Sequence, residues 1–446
     1  MSAACTLELH HQGQWHDVAR IQRLGDEAQG WRARCYGGYG VEWAFEHTGA
    51  RDAHALCAAW PVGLEAWQVP HWPVFLIDML PQGFGRQEML RRLGLNPNAG
   101  EGADWRLLMA GAGHPIGHLR VKEAAAWCAE QPGPLRGFTD AEVAERSDDF
   151  AEHLAAHGLF VAGSSGVQGE WPKILLTRAE DGLLYLDHAL PDERAVAHYI
   201  VKFGRGANAR LASILHHEAP YMAIARHLGL RVHAPLVLRQ RALFIPRFDR
   251  VVRAGQVIRL AQESVATLTG LPGFDAVPSH DAVCAALLRH CTDPQTEMLE
   301  YLRRDVANLA LLNKDNHARN TAVQRDFAGR VALTPLFDFA PMVLHPDGIA
   351  RRIRWEGNDH GRTDWSRVID RLMALAADVA AAAKRRRGRQ APPVLAREPL
   401  VVGLRALAPR LRELAQDGPA WGLAPELLAL VRPACLAQAE ALERLA

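Results

Sequence analysis

The sequence lacks the features that mark secreted or membrane proteins. It has seven cysteines, an odd number, and no two of them have the Cys-x-x-Cys spacing of a redox or zinc motif. No run approaches the ~18 consecutive apolar residues typical of a membrane-spanning helix. The segment Met1–Glu8 has neither the basic stretch nor the apolar stretch of a secretion signal. We therefore expect reduced thiols, no membrane span and a cytoplasmic protein.

A charge imbalance is also absent. The chain has 51 Lys and Arg residues against 50 Asp and Glu residues, which gives a net charge of +1 at pH 7. No overall field therefore favours nucleic acid, a membrane surface or an acidic partner. Hydrophobic residues make up 49% and charged residues 23% of the 446 positions, as in an ordinary globular protein long enough for two or three domains.

The pattern of apolar residues predicts a β-rich beginning and a more helical end. Residues 6–46 alternate between apolar and polar side chains, as half-buried strands do. The Pro- and Gly-containing segment 130–134 is the best linker of the first half, and Thr139 with Glu142 has the form of a helix capping box. Residues 211–228 have apolar side chains at helical spacing, and the end of the chain is helical by composition.

The most informative stretch begins at Asp315 and ends at Asn320, a short polar loop after the apolar run 309–312. The hairpin predicted over residues 321–336 brings Asp338 back beside Asn320, so that a carboxylate and an amide oxygen could share one Mg²⁺. Asp315 could accept the proton of a substrate hydroxyl. The protein-kinase catalytic loop has the same order of a base, an asparagine and a second aspartate. The spacing of Asp315 and Asn320 alone is common, however, and many Asp–Asn pairs at this spacing only cap loops.

Two earlier charged residues fit the same chemistry. Lys202 lies inside the apolar run 199–203, so it either extends to solvent or meets an anion. Glu218 lies on the predicted helix and could form an ion pair with Lys202, as in protein kinases, or could simply face solvent.

A glycine- and serine-rich stretch precedes this lysine. Its small residues would let backbone N–H groups approach a phosphate closely, although such a stretch is also an ordinary turn. The residues concerned are Gly163, Ser164, Ser165 and Gly166.

The segment 243–246, followed by Arg247, Phe248 and Asp249, resembles the hinge between the two lobes of a kinase. Its backbone groups would bind adenine, and Asp249 would meet a ribose or a helix terminus. The order of glycine-rich stretch, lysine, glutamate, hinge and paired acidic residues favours an ATP site.

Together these motifs resemble the HipA family of bacterial serine/threonine kinase toxins, over roughly residues 6–375. The stretch 169–171 is inserted between two parts of the family's glycine-rich motif. The segments that carry the resemblance are 80–83, 165–168, 172–173, 200–203, 247–250, 313–320 and 335–338.

This resemblance implies an α+β fold, in which a small β-rich N-terminal subdomain precedes a two-lobed protein-kinase-like fold with a helical C-terminal lobe. It also implies the division of the chain. We expect the N-terminal subdomain at 1–128, the N-lobe with glycine-rich loop and hinge at 129–250, the C-lobe at 251–395 and a helical tail at 396–446.

The resemblance further implies an ATP- and Mg²⁺-dependent serine/threonine protein kinase. Asp315 would be the base, Asn320 and Asp338 would hold Mg²⁺, and His317 would order the loop. The phosphates of ATP would be neutralised by Lys173 and by Lys202 with Glu218.

Related toxins phosphorylate an aminoacyl-tRNA synthetase and also a serine of their own glycine-rich loop, for which Ser164 and Ser165 are the candidates. The expected partner is a separate helix-turn-helix antitoxin, and DNA would be reached only through it.

Two alternatives remain open from the sequence. A catalytically silent corepressor would bind ATP and an antitoxin without transferring phosphate. A metal-dependent phosphoesterase or nuclease would use the same acidic residues to cleave nucleic acid without ATP.

Overall fold

The protein folds into antiparallel sheets and a large helical part. The computed structural model describes residues 2–130, 133–156, 172–204, 208–357, 363–385 and 395–445. Among the residues so described, no helix combines the length and the apolar character that a membrane crossing requires. All seven cysteines are unpaired thiols.

The N-terminal region (residues 2–128) is built on a five-stranded antiparallel sheet in the order β4-β3-β2-β1-β5. The turn between the first two strands has positive φ angles at Gln12 (49°) and Gly13 (80°), the combination that a tight hairpin favours. The strands are β1 Ala4–His11, β2 Gln14–Leu24, β3 Arg34–Tyr39, β4 Trp67–Val69 and β5 Leu119–Val121.

Five helices accompany this sheet, and the region encloses a core of its own. Trp72 and Trp105 are fully buried there, edge to face with ring centroids 5.2 Å apart, a favoured arrangement for aromatic pairs. The buried apolar residues of this region form a cluster of their own, and the boundary near residue 128 stays a prediction. The helices are α1 Val41–Glu46, α2 Val74–Asp78, α3 Gly83–Arg92, α4 Asp104–Gly111 and α5 Lys122–Ala129.

A second antiparallel sheet, in the order β7-β6-β8-β10-β9, follows with three helices. The capping box at Thr139 and Glu142 is present and starts the first of these helices, because it satisfies N–H groups that the helix leaves unpaired. The elements are α6 Asp140–Glu145, α7 Asp148–Ala156, β6 Lys173–Ala179, β7 Leu184–Leu186, β8 Ala195–Phe203, α8 Ala209–His227, β9 Val237–Arg239 and β10 Ala242–Pro246.

The remaining strands form two small antiparallel sheets, a hairpin of β11 and β12 and a sheet in the order β13-β14-β15. The hairpin of β14 and β15 is the one predicted between Asn320 and Asp338. The strands are β11 Arg250–Arg253, β12 Gln256–Arg259, β13 Ala261–Ser264, β14 Ala322–Arg325 and β15 Val331–Leu333.

The C-terminal half is mainly helical. Asp293 caps the central helix by accepting a hydrogen bond from the Thr296 N–H (3.1 Å), and Pro294 occupies the first turn, where proline costs no hydrogen bond. The helices are α9 Val265–Thr269, α10 His280–His290, α11 Pro294–Ala310, α12 Trp365–Arg385, α13 Arg397–Arg405, α14 Ala408–Gln416 and α15 Pro425–Glu443.

The last three helices are part of the C-terminal core. Leu302 of α11, Leu404 of α13 and Val431 of α15 are fully buried in one cluster. The segment 396–446, predicted as a helical tail, is therefore packed into the lobe that precedes it.

Buried charged groups fasten the N-terminal region to the rest of the chain. The Arg325 side chain, 1% exposed, donates to backbone carbonyl groups of the N-terminal region. Glu263 accepts the Ala58 N–H at 3.1 Å. Because a buried guanidinium without partners is very unfavourable, these contacts fix the position of this region. The carbonyl groups belong to Arg51, Asp52, Ala55 and Leu56.

Replacing this arginine tests its contribution to stability. Arg325→Ala leaves those carbonyl groups and Glu263 without their buried donor, so we expect the free energy of unfolding to fall by about 3 kcal/mol. Urea unfolding followed by circular dichroism measures the change. Arg330→Ala, on the exposed turn of the same hairpin, is the control and should leave the midpoint unchanged; an equal loss in both variants would contradict the assignment.

Candidate active site

Lys202 joins three separate parts of the fold. It lies on β8, and its Nζ is 2.5 Å from Oε1 of Glu218 on α8 and also donates to Oδ1 of Asp338. The pairing expected between Lys202 and Glu218 is therefore present. Although burial alone favours the neutral amine, the charges of Asp338 and Glu218 outweigh it and raise the pKa of Lys202.

Asp338 is held in an unusual backbone conformation. Its φ is +54°, a region that residues other than glycine rarely occupy and that is often found at functional sites. Its second carboxylate oxygen is 3.8 Å from Nζ of Lys173. Burial alone would raise the pKa of Asp338, but Lys173 and Lys202 outweigh it and lower that pKa.

The two lysines are direct neighbours across the sheet. Lys173 of β6 pairs in register with Lys202 of β8, and both side chains are almost fully buried. Burial lowers the pKa of Lys173 and raises the pKa of Glu218. Like charges directly opposite each other are unfavourable in a sheet. The lysine pair is therefore stabilised by the nearby carboxylates, and an anionic ligand would stabilise it further.

Two asparagines of the Asp315 loop (residues 313–320) hold its backbone in place. Nδ2 of Asn320 donates to the Asp315 carbonyl at 2.9 Å, and Oδ1 of Asn316 accepts the Arg352 N–H at 2.8 Å. Because the Asn320 amide donates through Nδ2, its Oδ1 is the atom available to a cation.

His317 lies beside Asp315, with Nε2 3.8 Å from Oδ1. Its Nδ1 accepts the Arg319 N–H at 3.2 Å, so a neutral imidazole carries its proton on Nε2. Burial lowers the pKa of His317 and raises the pKa of Asp315. A neutral histidine next to a carboxylate of raised pKa suits proton acceptance near neutral pH.

One cavity connects these groups. Asn320, Asp338 and both lysines line this cavity. Asp315 lies close enough to Asp338 and Lys173 for their charges to affect its pKa. Apolar side chains also line this part of the cavity, and they are Ile200, Met222, Leu236, Ile245, Phe248 and Phe337.

The N-terminal region supplies another wall of this cavity, through Leu56, Phe75 and Met79. Gln262 also lines it, and within the described ranges its buried Oε1 has no hydrogen-bond donor. These four residues could not be recognised from the sequence, because their contribution depends on how distant parts of the chain are packed.

Arg247 and Asp249 form part of a buried ionic network. Arg247 donates to both Asp249 oxygens at 2.9 and 2.8 Å and to Asp187 at 3.1 Å. Asp249 also accepts the Gly117 N–H at 2.9 Å, and Arg250 donates to the Gly117 carbonyl at 2.7 Å. Both oxygens of Asp249 are thus engaged in joining the hinge segment to the N-terminal region; nucleotide binding by Arg247 and Asp249 stays a prediction.

The backbone of the hinge segment is also partly engaged. The Arg247 N–H donates to the His198 carbonyl at 2.9 Å, and the Phe248 carbonyl accepts from Nε2 of Gln324 at 3.1 Å. Two of the groups expected to bind adenine are therefore already bonded within the protein. The Phe248 ring, 5.9 Å from that of Phe337, remains at the cavity wall.

The predicted phosphate-binding stretch lies outside the described residues, together with the insertion 169–171. Its predicted site residues are Gly163, Ser164, Ser165 and Gly166.

Known proteins are similar to this chain. The family profile described as "HipA-like C-terminal domain" matches residues 165–392, just over half of the chain. The chain belongs to the HipA-like family. A relative from Sinorhizobium fredii (strain NBRC 101917 / NGR234), named "Putative kinase Y4mE", is 28% identical over 309 residues, which are 66% of this chain and 69% of that protein.

A solved structure of the HipA-like type extends the similarity to almost the whole chain. HipA from the Shewanella oneidensis MR-1 complex of HipA, HipB and operator DNA matches 98% of this chain and 97% of its own, with a TM-score of 0.63 and 18% identity. At this identity the likeness concerns the fold alone. The predicted fold class, α+β with a two-lobed HipA-type architecture, is confirmed.

Two further residues of this HipA-like chain, Arg319 and Asp78, could not be recognised as part of the site from the sequence. Arg319 lies within the Asp315 loop, and its Nε donates to Oδ1 of Asp78 in the N-terminal region at 3.0 Å. The only sign in the sequence was that Arg319 is a charged residue inside a polar loop, and such residues are usually solvated.

The Asp249 network makes stability depend on pH. Burial alone would raise the pKa of Asp249, but Arg247 and Arg250 outweigh it and lower that pKa. The stabilisation is therefore complete above the unfolded-state pKa of about 4 and is lost as the pH falls below it towards the folded-state value.

Asp249→Asn should accordingly lower the free energy of unfolding at pH 7 by about 3 kcal/mol. The difference from the native protein should shrink between pH 4 and pH 2. Urea unfolding across this range provides the measurement. Asp275→Asn, at a side chain 97% exposed, should show neither effect, and a difference for Asp249→Asn that stays constant with pH would rule out the ionic explanation.

Proposed function

We propose that this chain is an ATP- and Mg²⁺-dependent serine/threonine protein kinase of the HipA toxin type. The observation that carries the proposal is the buried Lys202, which connects Glu218 and Asp338 in a cavity that Asn320 also lines. This combination of groups is the one that phosphoryl transfer uses to hold phosphates and metal ions.

The cavity suits a nucleotide. Its apolar side chains can hold a flat base, and the buried Oε1 of Gln262 offers an acceptor that lacks a donor in the described part of the chain. Lys173 and Lys202 offer two buried cations to phosphate groups. Bound ATP would supply the phosphoryl group for transfer to a hydroxyl.

The oxygen ligands suit magnesium delivered with a nucleotide. Asn320 offers Oδ1 and Asp338 offers a carboxylate, and Mg²⁺ is usually bound by one or two carboxylates together with substrate phosphates. Within the described ranges no group of three or more His, Cys, Asp or Glu residues could hold a metal ion by itself. Such a donor set therefore matches a metal that arrives with its phosphates.

Asp315 is the base in this proposal. Its raised pKa favours taking the proton of a serine or threonine hydroxyl near neutral pH. Asn320 holds the Asp315 backbone through the 2.9 Å bond, and His317 keeps its Nε2 proton towards the carboxylate.

The family is also the basis of a proposed substrate and partner. We propose a protein substrate, with an aminoacyl-tRNA synthetase as the first candidate, and a separate helix-turn-helix antitoxin as partner in the cytoplasm. The Shewanella oneidensis complex contains HipA with HipB and operator DNA, which supports an antitoxin. The net charge of +1 agrees with DNA being reached only through that partner.

Two substitutions test the catalytic roles. Asp315→Asn removes the base and Asp338→Asn removes a metal ligand, so each should lower the rate of phosphate transfer from labelled Mg·ATP by about 10²- to 10⁴-fold. Asp315→Asn should leave the melting temperature nearly unchanged. Asp347→Asn, at a side chain 86% exposed, is the matched control and should keep the native rate.

Other results would contradict the kinase assignment. Mg·ATP binding without phosphate transfer in the native protein would favour the silent corepressor. Cleavage of nucleic acid without ATP, lost in both variants, would favour the phosphoesterase or nuclease.

Autophosphorylation provides a further prediction. We expect mass spectrometry of the protein incubated with Mg·ATP to find phosphate on Ser164 or Ser165, and none on Asp315→Ala. Phosphate at this position would repel the phosphates of ATP, so the modified protein should bind Mg·ATP more weakly. Phosphate on Asp315→Ala as well would mean that another enzyme had added it.

A further inference from the structure

Asp78 brings a carboxylate of the N-terminal region to the edge of the active site. It is the last residue of α2, and its side chain is 17% exposed. Asp78 lines the same cavity as Asn320 and Asp338, although it lies 242 and 260 positions earlier in the sequence.

Three side chains from the C-terminal half donate hydrogen bonds to this one carboxylate. Oδ1 accepts from Nε of Arg319 at 3.0 Å, and Oδ2 accepts from the hydroxyls of Ser264 and Thr267, both at 2.6 Å. Hydrogen bonds to a charged acceptor are stronger than those between neutral groups. Asp78 is therefore held firmly against the Asp315 loop and the start of α9.

Arg319 transmits this contact to the catalytic groups. Its side chain is 4% exposed, and its other nitrogens donate to the carbonyl groups of Phe274 (3.1 Å) and Gly273 (3.0 Å). Its backbone N–H donates to Nδ1 of His317. In the part of the chain that the structure describes, Asp78 is the only carboxylate paired with this guanidinium.

Ser264 provides a second connection to the same loop. It caps α9 by accepting the Thr267 N–H at 3.2 Å, and the next residue, Val265, donates its N–H to the Thr321 carbonyl at 2.9 Å. Thr321 directly follows Asn320. Asp78 is thus connected to the residues on both sides of Asn320, the predicted metal ligand. It binds Arg319 directly and is linked to Thr321 through Ser264 and Val265.

We propose that Asp78 is a positioning residue for phosphate transfer, which acts through Arg319 on the placement of Asp315 and Asn320. This inference rests on the proposed kinase function. It makes the N-terminal region a part of the catalytic machinery, because the carboxylate that neutralises the loop's buried arginine comes from that region. Within the described ranges, the hydrogen-bond and ion-pair partners of the Asp78 carboxylate are Ser264, Thr267 and Arg319, so its effect on Asp315 and Asn320 would be indirect.

The proposal predicts a loss of rate without a loss of nucleotide binding. Asp78→Asn keeps the size of the side chain but removes its charge, so Arg319 and its loop should shift. A displacement of about 1 Å at reacting groups can cost about 100-fold in rate. We therefore expect the maximal rate of phosphate transfer from labelled Mg·ATP to fall about 100-fold, while the calorimetric affinity for ATP without Mg²⁺, which does not involve Asn320, stays unchanged.

A double-mutant cycle tests the route through Arg319. If Asp78 acts through Arg319, then Asp78→Asn combined with Arg319→Met should be no slower than Arg319→Met alone, since coupled residues give non-additive effects. If the rate loss of the double variant equalled the product of the two single rate losses, the proposal would be overturned. A native maximal rate in Asp78→Asn would overturn it as well.

A matched control separates positioning from general loosening of the N-terminal region. Glu8 accepts a hydrogen bond from Arg120 at 2.6 Å in that region and is similarly buried. Glu8→Gln should lower the melting temperature but keep the maximal rate; an equal loss of rate would overturn the proposal. Absence of transfer in the native protein would instead refute the kinase function and this inference with it, so the two failures are distinguishable.

Discussion

The buried ammonium group of Lys202 is the interaction on which the site depends. It draws together the sheet, helix α8 through Glu218, and the end of the hairpin through Asp338. Neither Lys202 nor Glu218 would be stable as a charge alone at this depth, because an unpaired buried charge is very unfavourable. Their mutual neutralisation therefore sets the distance between the sheet and the helical half, and with it the shape of the cavity.

The N-terminal region is connected to the rest of the protein by charge as well as by apolar packing. Arg325 reaches carbonyl groups in residues 51–56, Arg319 reaches Asp78, and Asp249 with Arg250 reaches Gly117. Such contacts are directional, and breaking one leaves a buried polar group unsatisfied. The region is accordingly fixed in one orientation and does not behave as a module on a flexible linker.

The elements of the candidate site that depend on neighbouring residues could be predicted from the sequence. The Asp315 loop, the strand with Lys202 and the helix with Glu218 are encoded by neighbouring residues and helical spacing, so their elements could be predicted. Asp78 and Gln262 could not, because nothing local distinguishes a solvated polar side chain from one buried against a distant segment. Arg247 and Asp249 show the opposite problem: their motif was recognised, but their engagement with Asp187 and Gly117 depends on tertiary packing.

The register pairing of Lys173 with Lys202 sets a limit on how far this protein can be stabilised. In the free protein two ammonium groups face each other across neighbouring strands, an arrangement that conflicts with the sheet around it. Asp338 offsets this repulsion, because it pairs with both ammonium groups. An apolar residue in place of Lys173 would remove the repulsion, one cation of the anion site and one partner of Asp338 at the same time, so stability and anion binding depend on the same pair of strands.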